Sequence, residues 1–387
     1  MRVIFLTTKL DFVGGGGSTI DRHVKALSLM ALGCEVKFIT VFSPGNRFKE
    51  KPPYHVFQEN ISYRNFFQFH RSVKEILIKY ESETDIYYVD GHIFLFGAGQ
   101  YKKRSGGKPV IGHFDNYPSE LFSPENSFVS SLKLFFRRYF QKICLLPTFN
   151  LLDLFTFPSP IIKDIYLNFG LKPEKAIVLP AFMDLAILES SGAEQFFCQN
   201  KKEARHILYI GRLIRAKGLG VLLAALALLK RDNLVLDVVG SGPDEEYFKK
   251  ISQQLGLAER VYWHRWVDLE TVGSVYRHAQ IFVSPALWPE PFGMTTVEAM
   301  FCGLPVIVSS NTGPAWIAKD GAGLIFRNGD AADLAEKIKQ LCDNPGLGQQ
   351  LVQKSQARVT DLAVAKLAGT LYENMASLLK ANGTAGF

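Results

Sequence analysis

Two series of short apolar runs, each alternating with helical stretches, constrain what this chain can fold into. The first series includes RVIFLTT, EVKFITV, DIYYVDGH and KPVIGHFDN, and the second includes HILYIGRL, LVLDVVGSGP, QIFVSPA and LPVIVSS. Apolar strands that alternate with helices are typical of parallel sheets covered by helices on both faces. The sequence therefore predicts an α/β fold with two Rossmann-like, doubly wound domains in tandem.

The predicted boundary between these domains lies where the periodicity is lost, in SSGAEQFFCQNKKEA. We predict an N-terminal domain over residues 1–185 and a C-terminal domain over residues 186–365, a division that suits a chain of 387 residues. A last helical pattern contains LYENMASLLKANG. We expect this tail, residues 366–387, to pack back on the N-terminal domain.

The composition excludes several classes of protein. The five cysteines are dispersed without the CxxC spacing of a zinc site, which indicates reduced thiols in a cytoplasmic protein. No apolar stretch is long enough for a membrane-spanning helix, and the start, MRVIFLTTKL, is typical of a first strand rather than a signal peptide. A net charge of +7 is modest for this length, so it indicates an anionic ligand or surface and not a nucleic-acid-binding protein.

The segment EPFGMTTVEAM surrounds the start of a predicted helix. Gly293 precedes a helix predicted over residues 295–302, and Gly303 is typical of the left-handed residue that ends a helix. The backbone N–H groups of Gly293, Met294 and Thr295 would then point freely out of the helix start. Together they predict an anion pocket that fits a phosphate or a sugar oxygen.

Two glutamates flank this pocket. Glu298 lies one turn inside the predicted helix, where its carboxylate can accept hydrogen bonds from both hydroxyls of a ribose. Glu290, on the preceding loop, could reach the hydroxyls of a second ring. The alternative is that Glu290 is a surface loop residue and that Glu298 belongs to a solvated helix face.

Two basic residues follow the strand HILYIGRL. Arg212 and Lys217 lie five positions apart on the next loop, so a planar guanidinium and a compact ammonium could contact one diphosphate. A diphosphate leaving group needs such charges, because negative charge builds on it as the glycosidic bond breaks. The alternative is a pair of solvated basic residues near a strand end. Gly240, in the glycine-rich VGSGP, mainly indicates a turn.

Glycines and histidines mark strand ends in the first half. GGGG, which ends with Gly16 and Gly17, follows the first strand and lets the backbone approach a ligand closely. The run does not match GxGxxG, and Thr40 stands where a dinucleotide-binding fold carries an acidic residue, so a nicotinamide dehydrogenase is disfavoured. His92 and His113 end predicted strands, at the edge that lines the ligand crevice. Such a histidine is either catalytic or a structural hydrogen-bonding residue.

Together these motifs resemble the retaining nucleotide-sugar glycosyltransferases of the GT-B fold, and within them glycosyltransferase family 4, or group 1. The resemblance is carried by YIGRLIRAKG, VVGSGPDEEYF, DGAGLIFRNGD and above all by FVSPALWPEPFGMTTVEAMFCGLPVIVSS. The N-terminal half matches more loosely, through its glycine loop, His113 and VLPAFMD. The resemblance implies that the C-terminal domain binds a nucleotide-sugar donor, that the N-terminal domain binds the acceptor, and that the domains close over the donor.

The resemblance also implies a role for each candidate residue. Arg212 and Lys217 would hold the donor diphosphate, Glu298 would hold the ribose, and His113 would contact the sugar near the reacting carbon. These two basic residues would replace a metal ion, so neither a metal nor a cofactor is expected, and the anomeric configuration would be kept. The other ligands of the sugar, phosphates and acceptor would come from Glu290, Phe292, Gly293, Met294, Thr295, Gly16, Gly17 and Gly240.

A further segment, SFVSSLKLFFRRYFQKICLLPTFNLLDLF, mixes aromatic, aliphatic and basic residues. As a helix it would cluster four basic side chains near a polar face: Lys133, Arg137, Arg138 and Lys142. Such a helix over residues 127–145 could lie on an anionic membrane and reach a lipid-linked acceptor. The alternative is a core helix with a snorkelling basic edge.

We therefore expect a cytoplasmic, retaining glycosyltransferase that moves a hexose from a nucleotide diphosphate sugar to a saccharide or glycolipid, in the synthesis of a cell-surface polysaccharide or a related glycan. A peripheral contact with the cytoplasmic face of a membrane would accompany a lipid-linked acceptor. Two alternatives stay open: a nucleotide-sugar epimerase or hydrolase of the same fold, and a non-catalytic module that binds a nucleotide sugar. The presence of Arg212, Lys217 and Glu290 argues against the module.

Overall fold

The computed structural model describes residues 1–13, 16–104, 107–114, 139–189, 204–231, 233–267 and 269–383. The chain divides into two compact units, one from Met1–Met183 with the residues from Val364 onward, and the other from Asp184–Ala363. Both crossings between the units lie two residues before those predicted. The chain leaves the first unit soon after Phe182, whose backbone N–H donates to Oδ1 of Asp21 in that unit at 2.6 Å.

The first unit is built on a parallel sheet. Its strands among the described residues are β1 (Arg2–Thr7), β2 (Glu35–Thr40), β3 (His55–Gln58), β4 (Ile86–Asp90), β5 (Val110–His113), β6 (Leu154–Phe157) and β7 (Ala176–Val178). They lie in the order β3-β2-β1-β4-β5-β6-β7. The helices that connect them are α1 (Gly17–Ala31), α2 (Phe66–Lys79), α3 (Leu95–Lys102), α4 (Leu146–Phe149) and α5 (Pro160–Phe169). The central strands β1 and β4 are buried almost throughout, as their continuous apolar runs require.

The second unit repeats this architecture. Its strands are β8 (Arg205–Ile210), β9 (Leu234–Val239), β10 (Val261–His264), β11 (Ile281–Ser284), β12 (Val306–Ser309) and β13 (Leu324–Phe326). The order of these parallel strands is β10-β9-β8-β11-β12-β13. The helices are α6 (Leu219–Leu229), α7 (Glu245–Gln254), α8 (Leu269–His278), α9 (Met294–Phe301), α10 (Gly313–Ile317), α11 (Ala331–Asp343) and α12 (Pro345–Asp361).

The last helix, α13 (Val364–Ala381), belongs to the first unit although it follows the second in sequence. Leu367, Leu371 and Met375 are buried in a core that also contains Leu29 of α1. Their spacing of four residues places them on one face of α13. This face therefore ties the end of the chain to the N-terminal sheet.

The two parallel sheets confirm the predicted fold class. The central strands other than β6 were recognised from their apolar runs, whereas β6 and the edge strands β3, β7, β10 and β13 were not predicted. Each of these four edge strands has only three or four residues and is largely exposed or half-buried. A strand that is covered on neither face has no need of a continuous apolar run, so its sequence gives little signal.

The segment predicted to lie on a membrane falls largely outside the described residues, because residues 115–138 are not among them. From Tyr139 the chain passes through a π-helical turn at Gln141–Leu145 and the short α4, and it then enters β6. The end of the quoted run, at Leu154 and Phe155, is therefore strand and not helix. None of the helices among the described residues combines the length and the apolar character that crossing a bilayer requires.

A buried histidine in α2 predicts that the stability of the first unit depends on pH. His70 is 5 % exposed, its Nδ1 accepts the backbone N–H of Gly97 at 3.2 Å, and burial lowers its pKa to about 4. The unfolded chain takes up this proton near pH 6.5. The free energy of unfolding should therefore fall by about 2 kcal/mol between pH 7.5 and pH 5, and the histidine should contribute almost no slope above about pH 7.5.

Urea denaturation between pH 5 and pH 8 measures this dependence. His70→Gln should flatten the profile, whereas His55→Gln, at an exposed histidine of β3, should leave it unchanged. The same slope in the wild type and in both variants would contradict the assignment to His70.

Candidate functional site

The candidate residues of the second unit lie where the strand order reverses. Strands β9 and β10 extend to one side of β8, and strands β11, β12 and β13 extend to the other. All of these strands pair in parallel, so the loops after β8 and β11 leave the same carboxyl edge on either side of the reversal. Ligands of open α/β sheets bind at such a switch point.

Two glycines allow the loops at this edge to touch. Gly218 has a left-handed φ of 74°, and a Cβ there would lie 1.8 Å from the carbonyl oxygen of Pro285 in the loop after β11. Gly240 follows β9 with a φ of 143°, and a Cβ there would lie 2.1 Å from the carbonyl oxygen of Gly211. A side chain at either position would separate the loops. This packing accounts for Gly240 without a ligand.

Lys217 and Glu290 form an ion pair at the contact between these loops. Lys217 ends the 3-10 turn Arg215–Lys217, and its Nζ lies 2.5 Å from Oε2 of Glu290. The two side chains are only 23 % and 17 % exposed. The interpretation of Glu290 as a free surface loop residue and of Lys217 as a solvated cation is therefore wrong.

The indole of Trp288 completes this cluster. Its Nε1–H donates to Oε2 of Glu290 at 2.8 Å, and the ammonium of Lys217 lies 5.3 Å from the centre of the indole ring. The backbone N–H groups of Leu287 and Trp288 both donate to the carbonyl oxygen of Ala216, at 2.9 and 3.3 Å. Two donors thus hold one oxygen of Glu290, and none of the described residues donates a hydrogen bond to its other oxygen, Oε1.

Arg212 adds a positive charge beside this cluster. It lies two positions after β8 and is exposed, and its guanidinium has no hydrogen-bond or ion-pair partner among the described residues. The hydroxyl of Tyr209 donates to the carbonyl oxygen of Arg212 at 3.1 Å. Burial, together with the negative charge of Glu290, raises the pKa of Tyr209. Tyr209 therefore lies near both Arg212 and Glu290, which places them in one neighbourhood.

The start of α9 presents free backbone donors, as predicted. Gly293 precedes the helix with a φ of 95°, and a Cβ there would lie 2.4 Å from the ring of Pro314. The N–H groups of Gly293, Met294 and Thr295 donate to no acceptor among the described residues. Helix α9 begins and ends one residue before its predicted bounds, and Gly303 follows it with the expected left-handed φ, 80°.

The side chain of Phe292 supports this loop from within the protein. It is 5 % exposed, and its ring centroid lies 6.5 Å from that of Trp316 in α10. The backbone N–H of Gly313 donates to the carbonyl oxygen of Glu290 at 2.7 Å. Helix α10 thus holds the loop from Glu290 to Gly293 against the sheet.

Glu298 is held from the neighbouring helix α8. The hydroxyl of Tyr276, which is fully buried, donates to Oε2 of Glu298 at 2.6 Å. Burial raises the pKa of Glu298, and the hydrogen bond from Tyr276 opposes this rise. Glu298 is only partly exposed, so the alternative that it belongs to a solvated helix face is wrong.

The positive charges of this site come from Arg212 and Lys217, and the amino end of α9 adds partial positive charge. Among the residues that the structure describes, no three His, Cys, Asp or Glu side chains are grouped as ligands of a metal ion. The arrangement can therefore bind an anion through side chains and backbone N–H groups. Glu290 and Glu298 provide acceptors for hydroxyl groups beside it.

The candidate residues of the first unit lie at the carboxyl edge of the other sheet. Gly17 begins α1 and Gly16 precedes it, in the connection that leaves β1. A Cβ at Gly16 would meet no atom within 4 Å, so this position is open. His113 is the last residue of β5, and His92 begins the 3-10 turn His92–Phe94 after β4. The strand order reverses between β1 and β4, close to these residues.

His113 belongs to a buried polar network. Its Nδ1 lies 2.9 Å from Oγ1 of Thr156, and its Nε2 lies 4.0 Å from Oδ1 of Asp90. Asp90 is paired with Arg22 of α1, and both of these side chains are buried. His113 therefore makes the structural hydrogen bond that was its alternative interpretation, while its second nitrogen is directed toward a carboxylate.

The residues of these sites that were not predicted include Trp288, Tyr276, Asp90 and Arg22. Trp288 stands two positions before Glu290, but an indole N–H has no characteristic sequence spacing. Asp90 lies in a mainly apolar run whose pattern indicates core, and Tyr276 lies in an amphipathic stretch. Their contacts arise only when distant elements pack together, so a local pattern could not reveal them.

Two protein families match consecutive parts of this chain. The family described as Glycosyltransferase Family 4 matches residues 13–187, and the family described as Glycosyl transferases group 1 matches residues 192–358. These two ranges contain every candidate residue of both sites.

Individual relatives match over shorter stretches. An uncharacterised glycosyltransferase of Methanocaldococcus jannaschii is 31 % identical over 161 residues, which are 41 % of this chain and 40 % of that protein. D-inositol 3-phosphate glycosyltransferase 2 of Catenulispora acidiphila is 33 % identical over 156 residues, which are 37 % of this chain and 36 % of that protein. The chain thus spans about two fifths of the length of these curated relatives.

Solved structures match almost the whole chain. The sucrose-phosphate synthase of Thermosynechococcus elongatus superposes with a TM-score of 0.78 at 19 % identity, over 98 % of this chain and 99 % of that one. HepE of Anabaena, in complex with UDP-glucose, superposes with a TM-score of 0.71 at 18 % identity, over 97 % of this chain and 100 % of that one. At these identities the likeness concerns the fold alone.

Proposed function

Since the chain belongs to the group 1 glycosyltransferases of family 4 and has their GT-B fold, we propose that it is a retaining hexosyltransferase. Its donor is a nucleotide diphosphate sugar, and its acceptor is a saccharide or glycolipid of a cell-surface polysaccharide or related glycan. One observation carries the proposal: Lys217 is paired with Glu290 at the switch point of the second sheet, in the loop that leads into the free N–H groups of α9. The solved complex of HepE with UDP-glucose supports this class of donor.

In this proposal the second unit binds the donor diphosphate. Arg212 is exposed and unpaired among the described residues, so its planar guanidinium is available to a phosphate. Lys217 adds a compact charge, and the N–H groups of Gly293, Met294 and Thr295 add uncharged donors. These groups face the place where negative charge builds as the bond from the sugar to the phosphate breaks, so they stabilise the transition state.

The two glutamates bind the two sugar rings of the donor. Glu298 accepts hydrogen bonds from the ribose diol, for which its carboxylate must be ionised. The hydrogen bond from Tyr276 favours that ionised form against the effect of burial. Glu290 accepts hydrogen bonds from hydroxyls of the transferred hexose through Oε1, the oxygen to which no described residue donates a hydrogen bond.

The first unit binds the acceptor and the reacting end of the hexose. Gly16 and Gly17 carry no side chain, and a Cβ at Gly16 would meet no atom within 4 Å, so a ligand can approach the backbone at the start of α1. His113 contacts the hexose near the reacting carbon, and its bond to Thr156 fixes the orientation of the imidazole. Asp90, at 4.0 Å from Nε2 of His113, biases the tautomer toward a protonated Nε2.

Retention follows from attack on the face that the leaving group departs from. The bond between the anomeric carbon and the phosphate oxygen breaks, and the acceptor oxygen forms the new bond on the same face. The acceptor proton passes to the departing phosphate oxygen, so no covalent sugar–enzyme bond is needed. Arg212 and Lys217 stabilise the charge on the diphosphate, so the proposal needs no metal ion.

Incubation of the purified full-length chain with nucleotide sugars tests this function. A thermal-shift screen of UDP-, GDP- and ADP-sugars should first identify the donor, since a bound ligand raises the melting temperature. Transfer to an added glycan should then release the nucleoside diphosphate and form a new α- or β-linkage that matches the donor. Free sugar alone would indicate the hydrolase, an isomerised donor would indicate the epimerase, and binding without turnover would indicate the non-catalytic module.

A glycolipid acceptor would require contact with the cytoplasmic face of a membrane, and α2 begins with a surface suited to it. Tyr63 and Phe67 are 52 % and 66 % exposed, and the exposed Arg64 and Arg71 accompany them. Aromatic side chains flanked by cations bind the interface of an anionic bilayer. We therefore include a peripheral membrane contact through this surface in the proposal.

Co-sedimentation with vesicles that contain phosphatidylglycerol measures this contact. The double variant Tyr63→Ser/Phe67→Ser should reduce the bound fraction about tenfold, because two apolar anchors are lost. Leu228→Ser, at a residue that is 57 % exposed in the second unit, is the matched control and should bind as the wild type does. Binding that ignores the anionic lipid content, or that survives in the double variant, would contradict the membrane contact.

A further inference from the structure

Trp288 has no part in the proposed function, yet it contacts two residues that do. Its Nε1–H and the ammonium of Lys217 donate to the same oxygen of Glu290, at 2.8 and 2.5 Å. The charge of Lys217 is therefore shared with a carboxylate. A diphosphate that binds Lys217 therefore competes with Glu290 for this ammonium.

The two donors to Glu290 respond differently when a diphosphate arrives. The phosphates attract the ammonium of Lys217 because it is positively charged, and its flexible side chain allows it to turn toward them. The indole N–H of Trp288 is uncharged and rigidly attached, so it has much less tendency to follow. Its backbone is also anchored, since the N–H of Trp288 donates to Ala216 and its carbonyl oxygen accepts the N–H of Glu290 at 2.8 Å.

We propose that Trp288 is a positioning residue for the transferred sugar, an inference that rests on the proposed function. Its indole N–H keeps the Glu290 carboxylate in place when the donor diphosphate takes over Lys217. The bond occupies Oε2 and so presents Oε1, to which no described residue donates a hydrogen bond, to the hydroxyls of the hexose. Trp288 therefore fixes the position of the sugar through Glu290, and it does not itself contact the phosphates.

Two substitutions separate the N–H from the ring. Trp288→Phe keeps an aromatic ring beside Lys217 but removes the donor, whereas Trp288→His keeps a ring N–H in a smaller side chain. Trp288→Phe should lower kcat/KM for transfer tenfold or more, because the bond it removes is made to a charged group. The affinity for UDP, or for GDP or ADP if the donor carries that base, should stay within threefold. Trp288→His should recover part of the lost kcat/KM.

The effects of Trp288→Phe on kcat/KM and on nucleoside diphosphate affinity, taken together, test the positioning role. If Trp288→Phe retains kcat/KM within twofold, or loses nucleoside diphosphate affinity as strongly as transfer, the positioning role is wrong while the proposed function stands. If the wild-type protein neither binds a nucleoside diphosphate nor transfers sugar, the proposed function itself fails. Thermal unfolding of each variant checks that the fold is kept.

A measurement on the wild-type protein tests the same role without relying on a variant that folds. The chain has four tryptophans, so four indole N–H signals are expected in a nitrogen-15 NMR spectrum. The Trp288 signal should keep its hydrogen-bonded shift and its protection from exchange when the nucleoside diphosphate is added. A move to the shift of a solvent-exposed indole would show that Trp288 releases Glu290, and it would overturn the proposal.

Discussion

Lys217→Ala should lower kcat/KM for glycosyl transfer by about 10²- to 10³-fold and leave the fold intact. The size of the effect follows from the loss of a preorganised ammonium that faces the charge developing on the leaving diphosphate. The fold should tolerate the change, because Lys217 ends a short 3-10 turn and its ammonium is engaged with Glu290 and Trp288 and not with the core. Initial rates at low donor concentration measure kcat/KM, and thermal unfolding monitors the fold.

The same turn provides a matched control. Arg215 is also basic, but its guanidinium lies 4.1 Å from the centre of the Tyr247 ring and 3.8 Å from a carboxylate oxygen of Asp244. It is thus engaged with α7 and its amino end, and Arg215→Ala should keep kcat/KM within about twofold. Equal losses in the two variants would mean that positive charge in general matters and not the place of Lys217. Near-normal turnover in Lys217→Ala would contradict its role on the diphosphate.

The candidate residues could be found from the sequence, but their pairings could not. The glycine before α9 and the spacing from Glu290 to Glu298 are local features, and the structure places the helix within one residue of its prediction. The bond between Lys217 and Glu290 joins residues 73 positions apart, and it exists because Gly218 allows two loops to touch. A local sequence pattern indicates the element in which a residue lies, whereas a contact between two distant residues depends on how their elements pack.

The same distinction applies to Glu298. Its position one turn inside a helix was predictable, because glycines on both sides define that helix. Its partner Tyr276 lies in α8 and precedes β11 in a stretch, VGSVYRHAQ, that shows only an amphipathic pattern. The sequence therefore left a solvated glutamate as an alternative, and only the packing of α8 against α9 excluded it.

In the first unit, the sequence analysis located His113 at the end of a strand but did not predict the buried ion pair between Asp90 and Arg22. Asp90 ends a fully buried strand, and Arg22 lies in a helix that begins directly after the glycine loop. Charged side chains are rarely buried without a partner of opposite charge. A sequence pattern that indicates burial therefore does not predict an ion pair unless that partner is known. Arg22, the partner of Asp90, lies in α1, whereas Asp90 ends β4. The ion pair could therefore be recognised only from the structure, in which these two residues meet.

Glu298 carries the second large expected effect. Glu298→Ala should weaken the binding of the nucleoside diphosphate about 10²-fold, because a charged acceptor for both ribose hydroxyls is lost. Alanine has the highest helix propensity, so α9 should persist. Calorimetry with UDP, GDP and ADP measures the affinity. Glu336→Ala, at an exposed glutamate of α11, is the matched control and should bind as the wild type does.

The pH dependence of this affinity tests whether the ionised carboxylate is the ligand. Burial raises the pKa of Glu298 and the hydroxyl of Tyr276 opposes that rise, so Tyr276→Phe should raise the pKa further. Affinity should fall as the pH drops through the pKa of Glu298, and in Tyr276→Phe this fall should begin at a higher pH than in the wild type. Glu298→Ala should lack the step altogether. Normal affinity in Glu298→Ala, or the same profile in Tyr276→Phe and the wild type, would contradict recognition of the ribose by Glu298.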